Sequence, residues 1–216
     1  MTNSAYGHKL ITHDGKHVDF DSALQIPDHR VSWAIYDNLE ADKAKFYTFD
    51  AKHGDALYAS MLIPKINGLE EYAPSLLLVR PPGLENDSTL PEDWSNAESF
   101  PYVGEFPGDE FYEPFGQVTY WERQEVRTHI LTDGRYFIVV ADDTGRDGKY
   151  AFSIGTIEDF SGEDFLVTLP VAWLETKIFV NDYLSVGVFF SILIIVPAIV
   201  VLLIIRRLRL RISKTQ

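Results

Sequence analysis

The sequence predicts a mostly β protein: a single β-sandwich or jelly-roll-like domain followed by one C-terminal transmembrane α-helix. About eight short segments rich in aromatic and β-branched residues lie between residues 31 and 155, and polar, Gly or Pro positions separate them. No helix-length amphipathic segment interrupts this series. Near the C-terminus, about twenty consecutive residues lack a charged side chain, which is the length that a helix needs to cross a bilayer.

Composition limits the class of protein. The chain has 216 residues, enough for one domain with a sizeable core before the apolar run. Its formal net charge is −13, and five Lys/Arg without any acid follow Ile205, so residues 1–205 are five units more negative, at −18. A surface this acidic excludes nucleic acid as a partner. The absence of cysteine excludes disulfides and thiolate chemistry and, for an exported protein, fits a bacterial or archaeal envelope.

Residues 1–30 form a polar N-terminal leader segment. It lacks the apolar stretch of a signal peptide, so either such a peptide was removed or omitted, which we expect, or the domain faces the cytoplasm. Imidazole commonly binds zinc or copper, but the histidine spacings provide neither an i, i+4 helical pair nor a tight cluster. We therefore expect solvated histidines and no metal site here. The histidines of this segment are His8, His13, His17 and His29.

The sandwich domain is predicted to span residues 31–167. In the segment 56–63, Leu57 and Met61 belong to one face while Tyr58 belongs to the other, which is the alternation of a half-buried strand. Residues 75–79 form a continuous apolar run, which predicts a fully buried central strand. Further strands are predicted at 31–36, 45–49, 117–126, 128–131, 135–141 and 149–154.

Three strings resemble the pre-peptidase C-terminal domain, a β-sandwich module of secreted bacterial and archaeal proteins: FYTFDAKHGDALYASMLIP, SLLLVRPPG and ILTDGRYFIVVADDTGRDGKYAFSIG. The resemblance spans roughly residues 31 to 155 and implies a non-catalytic accessory or binding role. It departs from the family in a long insertion and in the membrane anchor. The matching turn and core positions are Phe49, Gly54, Asp55, Leu76, Leu78, Pro82, Gly83, Gly134, Tyr136, Gly148 and Tyr150.

The insertion, residues 81–122, contains ten acids, seven aromatic residues from Trp94 to Phe115, and no Lys or Arg in that range. Three interpretations are open: an ordered loop that covers a sandwich edge, a docking surface for another protein or a glycan, and a calcium site built from clustered carboxylates. Apart from calcium, no cofactor is predicted. We assign the interaction surface to Trp94, Tyr102, Asp109, Glu110 and Tyr112.

The loop 142–148, DDTGRDG, has two interpretations. Asp and Gly are the residues that tight hairpins select, so we expect a hairpin here. Calcium is the alternative, although the ligand order of an EF-hand is not met.

Catalytic motifs were sought throughout the sequence. It contains no nucleophile elbow, phosphate-binding glycine loop, HExxH motif or cysteine nucleophile, and we assign no catalytic residues. The leading function is a non-catalytic binding or accessory module, such as a small subunit of a membrane complex. The alternative is a metal-dependent or hydrolytic envelope enzyme that uses the N-terminal histidines.

The juxtamembrane segment, residues 168–185, is predicted to contain a short helix begun by Pro170. Val171, Leu174 and Ile178 share one face of that helix at i, i+3, i+7 spacing. Aromatic side chains are favoured at the membrane interface, where we place Trp173, Phe179 and Tyr183.

The transmembrane helix is predicted at residues 186–205 and the basic cytoplasmic tail at 206–216. Because Lys and Arg accumulate on the cytoplasmic side of membrane helices, we expect the N-terminal domain to lie outside the cytoplasm. Gly187 and Ser191 are four residues apart, and small residues at this spacing allow a partner helix to approach. The expected partners are therefore the membrane and another membrane or envelope protein.

Overall fold

A computed structural model describes residues 8–80, 97–159 and 169–212, with side chains described as far as Arg207. Within these ranges the strands form one sheet of six and one of five. In spatial order the six-stranded sheet contains β1 (Lys9–Leu10), β3 (Trp33–Leu39), β11 (Gly148–Ile154), β5 (Ala56–Pro64), β9 (Val118–His129) and β8 (Glu110–Glu113). The five-stranded sheet contains β2 (Leu24–Gln25), β4 (Ala44–Ala51), β10 (Gly134–Ala141), β6 (Ser75–Val79) and β7 (Ala97–Phe100). Two helices follow, α1 (Leu169–Phe179) and α2 (Tyr183–Ile212).

The core lies between the two sheets. Phe152 of β11 is in register with Ile35 of the neighbouring β3, and its ring centroid lies 4.9 Å from that of Tyr47 on β4 of the opposite sheet. All three side chains are fully buried. Burial of each such side chain contributes roughly 1.5–3 kcal/mol. The predicted fold class, a mostly β sandwich followed by a helix long enough to span a membrane, is confirmed.

The longer strands lie close to their predicted positions. In β5 the side chains of Leu57, Ala59, Met61 and Ile63 are buried, as the alternation predicts. The predicted strands 117–126 and 128–131 are instead joined in the single strand β9, which ends at His129 and whose register shifts opposite Ser60 and Leu62. The four strands that were not predicted, β1, β2, β7 and β8, have two to four residues each.

The N-terminal histidines are not solvated, contrary to the expectation from sequence. Strand β1 pairs in parallel with β3, and β2 pairs in parallel with β4, so this segment packs against both sheets. His17 is 3% exposed and His29 is 2% exposed. The expectation is wrong because a polar segment can be buried where the folded domain supplies hydrogen-bond partners for it.

The loop between β10 and β11 is not a hairpin, because these strands belong to different sheets. Gly145 has a φ of 70°, which favours glycine. The Asp142 carboxylate accepts a hydrogen bond of 2.8 Å from the backbone N–H of Thr144 and forms an ion pair of 3.3 Å with Arg146. The loop is thus a crossover between the sheets, and an arginine already neutralises this carboxylate.

Helix α1 begins next to Pro170, as predicted. Its packing differs from the expectation, because the ring of Phe179 stacks on Tyr36 of β3, with 4.8 Å between the centroids. The ring of Phe179 therefore packs against the sandwich. On the opposite side of the helix, Val171 and Ile178 are exposed.

Helix α2 contains the predicted apolar segment. The stretch Tyr183–Arg207, 25 residues, is long and apolar enough to cross a membrane. Pro197 lies inside the helix. The turn before α2 contains Asn181, with a φ of 62°, and Asp182, whose carboxylate accepts a hydrogen bond from the N–H of Ser185 at 3.2 Å. A side-chain oxygen in this position caps a helix N-terminus.

Candidate functional site

The outer face of the six-stranded sheet, which points away from the core, has two differently covered halves. On one half, Val118, Tyr120 and Ala151 form a small buried cluster, and Phe179 of α1 packs against it. Lys149 fixes the helix there by donating hydrogen bonds to the carbonyl of Phe179 at 2.7 Å and to the side chain of Asn181 at 2.9 Å. The other half of this face remains open.

The open half forms a cleft of about 230 Å³, here called the outer cleft. Its floor follows from the alternation of β5, which turns Tyr58, Ser60 and Leu62 outward while their neighbours enter the core. The cleft therefore combines hydroxyl groups with aromatic and aliphatic surface. Its lining consists of His8, Ser32, Tyr58, Ser60, Met61, Leu62, Phe111, Glu122, Arg123, Gln124, Glu125, Arg127, Ser153, Gly155 and Thr156.

Charged side chains border the outer cleft. The guanidinium carbon of Arg127 lies 4.6 Å from the ring centroid of Tyr58, and Arg127 also forms an ion pair with Glu125. Partial burial, followed by the negative charges of Asp109 and Glu125, raises the pKa of Glu122. This border therefore combines carboxylate acceptors with a planar cation that is paired to one of them.

Arg123 is buried and fixes one end of the cleft. Its guanidinium donates hydrogen bonds to three backbone carbonyls of neighbouring loops, those of Glu70 (3.0 Å), Tyr72 (2.9 Å) and Pro107 (2.7 Å). The guanidinium carbon lies 5.0 Å from the ring centroid of Tyr102 and 5.3 Å from that of Phe106. A cation beneath aromatic faces stabilises this arrangement. Residues 101–115 of the acidic insertion therefore form an ordered rim beside the outer cleft, whereas residues 97–100 belong to β7 of the other sheet.

The predicted interaction residues lie at or near this rim, apart from Trp94, which falls outside the described residues. Tyr112 on β8 is 58% exposed and points to the opposite side of the strand from Phe111, which lines the cleft. Glu110, on the same face of β8, forms an ion pair with Lys65. The carbonyl of Asp109 accepts a hydrogen bond from the N–H of Glu122 at 2.8 Å. Tyr102 is half-buried over Arg123 and so stabilises the rim more than it offers contact surface.

The sequence did not single out three cleft residues: Tyr58, Phe111 and Arg127. Tyr58 carried a usable signal, since the alternation of its strand assigns it to the solvent-facing side. Phe111 and Arg127 carried none, because their place at the cleft depends on the pairing of β9 with β5 and β8.

A second polar cluster is buried inside the sandwich around Asp37. One oxygen of this carboxylate, Oδ2, accepts hydrogen bonds from His17 Nε2 at 2.7 Å, from the Tyr47 hydroxyl at 3.0 Å and from the Tyr150 hydroxyl at 3.3 Å. Burial by itself raises the pKa of Asp37, but the hydrogen bond from His17 and the neighbouring His13 and Lys45 outweigh burial and lower it.

His13, His17 and Asp37 offer ligand atoms within 4.8 Å of one another, so a metal ion must be considered. The N–H of Gly15 donates to His13 Nδ1 at 3.1 Å, which leaves the ring proton on Nε2, 3.0 Å from the carbonyl of Tyr36. Both His13 nitrogens are then engaged. The Lys45 ammonium lies 3.8 Å from the other Asp37 oxygen and opposes a second cation. These contacts fit a hydrogen-bonded network and not a metal centre.

His8 and Ser32 form the one arrangement in the outer cleft that is reminiscent of a nucleophile and its base. The Ser32 hydroxyl lies 2.6 Å from His8 Nδ1. Burial lowers the pKa of His8 to about 4, and the negative charge of Glu158 opposes this effect. His8 is therefore neutral at pH 7. Ser32 lines the cleft but is only 2% exposed, so little of its surface is open to a substrate.

The predicted helix-packing residues Gly187 and Ser191 lie on the surface of α2. They line an open groove of about 450 Å³ together with bulkier neighbours such as Val188 and Ile195. A Cβ added at Gly187 would meet no atom within 4 Å. The position therefore leaves room for the close approach of another helix.

No family model matches the chain, and no curated protein sequence matches it. Among solved structures, the chain is similar to PliG of Aeromonas hydrophila, a periplasmic inhibitor of g-type lysozyme, with 11% identity over 62% of this chain and 94% of that chain and a TM-score of 0.39. It is also similar to the pre-peptidase C-terminal domain of Bacillus anthracis collagenase (14% identity, 60% and 91% coverage, TM-score 0.33). A third is a mitogen of Yersinia pseudotuberculosis (12% identity, 64% and 94% coverage, TM-score 0.33). Because these TM-scores are low, the assignment of a β-sandwich rests on the two sheets described above and not on these similarities.

Proposed function

We propose that this chain is a single-span membrane protein whose extracytoplasmic β-sandwich binds a partner protein of the envelope through the outer cleft and its acidic, aromatic rim. The apolar stretch of α2 supports the membrane anchor. The five Lys/Arg that follow Ile205 support a cytoplasmic tail and hence an extracytoplasmic sandwich.

One observation carries the binding role. In the described part of the sandwich, seven large apolar side chains are exposed, and four of them lie within residues 103–115. These four are interleaved with the exposed acids Glu105, Asp109 and Glu110. Exposed aromatic residues beside hydrogen-bonding groups are typical of protein interfaces, and the acids favour a partner with basic residues. The four apolar side chains are Val103, Phe106, Tyr112 and Phe115.

The alternative, a hydrolytic or metal-dependent enzyme using the N-terminal histidines, has weaker support. Ser32 is only 2% exposed, and His13 has both ring nitrogens engaged. A binding module requires neither an accessible nucleophile nor a metal.

The groove along α2 supports a further part of the proposal, a role as a small subunit of a membrane complex. In a lipid environment helices associate through close packing at small residues, and Gly187 provides open space there. Replacing Gly187 and Ser191 by leucine should release a partner that packs against α2 while the sandwich stays folded. A partner that stays bound to this variant would assign the contact to the sandwich alone.

The interaction surface is tested by co-purification of the full-length protein from its native membrane in mild detergent. Tyr112→Ala combined with Phe106→Ala should lose a partner that the wild type retains. Leu131→Ala is the matched control, since Leu131 is equally exposed but lies away from the rim. Retention of every partner by the double variant would contradict the assigned surface.

The orientation is tested with protease added to intact cells or spheroplasts. We expect removal of the sandwich and survival of a small membrane fragment. Complete protection would reverse the orientation.

A further inference from the structure

Helix α1 has an apolar stripe that the described parts of the sandwich and α2 leave largely uncovered. Val171 and Ile178 are 47% and 43% exposed, and the half-buried Leu174 lies between them on the same helical face. On the other side of the helix, Thr176 and Lys177 are buried. The Thr176 hydroxyl lies 3.0 Å from that of Tyr36 on the sandwich. The stripe therefore points away from the domain to which α1 is fixed.

The position of Trp173 shows at what level of α2 this helix lies. The ring of Trp173 is 5.0 Å from that of Phe189, between centroids. Phe189 is six residues into α2, so it lies about 9 Å along the helix axis from Tyr183. An α1 that stood away from the membrane could not make this contact. Helix α1 thus lies beside the first turns of the apolar stretch.

We propose that α1 is an interfacial membrane helix whose stripe of Val171, Leu174 and Ile178 inserts among lipid acyl chains. This proposal rests on the proposed membrane anchor, because it requires α2 to span the bilayer. Helices of this kind bury their apolar face by about 5–10 Å at the boundary between headgroups and acyl chains. Glu175, exposed beside the stripe, remains at the level of the headgroups.

Contact between α1 and lipid determines which side of the sandwich faces the membrane. Helix α1 packs on the outer face of the six-stranded sheet, where Phe179 stacks on Tyr36. The outer cleft lies on this same face. The outer cleft therefore opens close to the membrane surface, and its ligand is a membrane protein or a segment of protein held near the lipid.

The test uses the natural absence of cysteine, so that one introduced thiol takes a single nitroxide label. Val171→Cys and Ile178→Cys report on the stripe. Ile194→Cys in the middle of the apolar stretch and Val103→Cys on the rim serve as references, since both side chains are exposed. The full-length labelled variants are reconstituted in vesicles of phosphatidylethanolamine and phosphatidylglycerol. Power saturation then compares collisions with oxygen and with a water-soluble nickel chelate.

We expect labels at 171 and 178 to collide more with oxygen than with the chelate, as the label at 194 does, and the label at 103 to show the reverse. Chelate access at 171 and 178 equal to that at 103 would overturn the proposal while leaving the anchor intact. Protection of both positions from both reagents would also overturn it, because a protein would then cover the stripe. Chelate access at 194 would instead refute the anchor itself. Unfolding of each variant, followed by circular dichroism, verifies that the sandwich is intact.

Discussion

Tyr36 of the sandwich and Phe179 of α1 stack with 4.8 Å between ring centroids and 15° between ring planes. This contact joins the folded domain to the helix that precedes α2. Thr176 reinforces it by hydrogen bonding to the Tyr36 hydroxyl, and Lys149 does so by donating to the carbonyl of Phe179. Packing and hydrogen bonds therefore fix α1 to the sandwich, so α1 is part of the folded domain.

Phe179→Ala should destabilise the sandwich in detergent by roughly 1–3 kcal/mol, less than the 3–5 kcal/mol typical of a fully buried phenylalanine. The loss follows from exposure of the cluster beneath the ring, which includes Tyr120 and Ala151. Urea unfolding followed by tryptophan fluorescence measures it. Ile178→Ala, on the exposed face, should change the free energy of unfolding by no more than about 0.5 kcal/mol. Equal effects of the two substitutions would contradict the packing.

Asp37→Asn should cost roughly 3–5 kcal/mol, because it leaves buried donors and the Lys45 ammonium without a carboxylate. The folded-state pKa of Asp37 is below its ordinary value of 3.8, so its stabilisation is present above that pH and is lost as pH falls further. Asp50→Asn, which removes an exposed ion pair with Arg135, should cost at most about 1 kcal/mol. Chemical unfolding at neutral and acidic pH compares the two variants. A loss of stability in Asp37→Asn as small as that in Asp50→Asn would show that the buried hydrogen-bonded network does not stabilise the sandwich.

The pH dependence of stability between 6.5 and about 4 should depend on His8. Burial lowers its folded-state pKa to about 4 from an ordinary 6.5, so the unfolded chain binds more protons in this window and stability falls as pH falls. The full pKa shift of His8 corresponds to roughly 3 kcal/mol in the free energy of unfolding. Burial lowers the pKa of His29 as well, so it contributes in the same direction.

His8→Gln should reduce this pH dependence, and the double variant with His29→Gln should reduce it further. Thermal unfolding across the pH range tests both. An unchanged slope in His8→Gln would show that His8 is accessible to water in the folded protein.

Arg123→Met should release the rim. The substitution removes the donors to the carbonyls of Glu70, Tyr72 and Pro107 and the cation beneath Tyr102. Unpaired buried carbonyls cost about 1–3 kcal/mol each. Hydrogen exchange should therefore accelerate over residues 101–108 more than over β10. Arg135→Met, at an exposed ion pair, is the control and should leave exchange at the rim unchanged. Equal exchange in both variants would show that other contacts hold the rim.

The sequence predicted the long strands because one face of each is buried. Apolar residues such as Leu57, Ala59 and Met61 therefore recur at every second position of the strand. It did not reveal β1, β2, β7 or β8, because strands of two to four residues are too short for a pattern and form only when a longer neighbour offers its edge. The loop at Asp142 illustrates a related limit. Its residues predict a tight turn, but whether the following strand joins the same sheet depends on the packing of the whole domain.

The candidate site was only partly predictable for the same reason. The aromatic and acidic composition of the insertion singled out Tyr112 and Glu110, which lie on the exposed rim. Their counterparts in the outer cleft come from β5 and β9, which approach one another only through long-range pairing. The burial of His17 was not predictable either, since it depends on Asp37, which is twenty residues away along the chain.

The turn between α1 and α2 has a mechanical consequence. The Lys177 ammonium forms an ion pair of 3.0 Å with Asp182, and Lys149 of β11 binds the Asn181 side chain, so the turn is tied both to α1 and to the sandwich. Rotation of α2 about its own axis would therefore rotate the whole domain through the same angle. One added helical residue at the start of α2 corresponds to about 100° of rotation. The direction in which the cleft faces around the axis of α2 is thus fixed relative to that of Gly187.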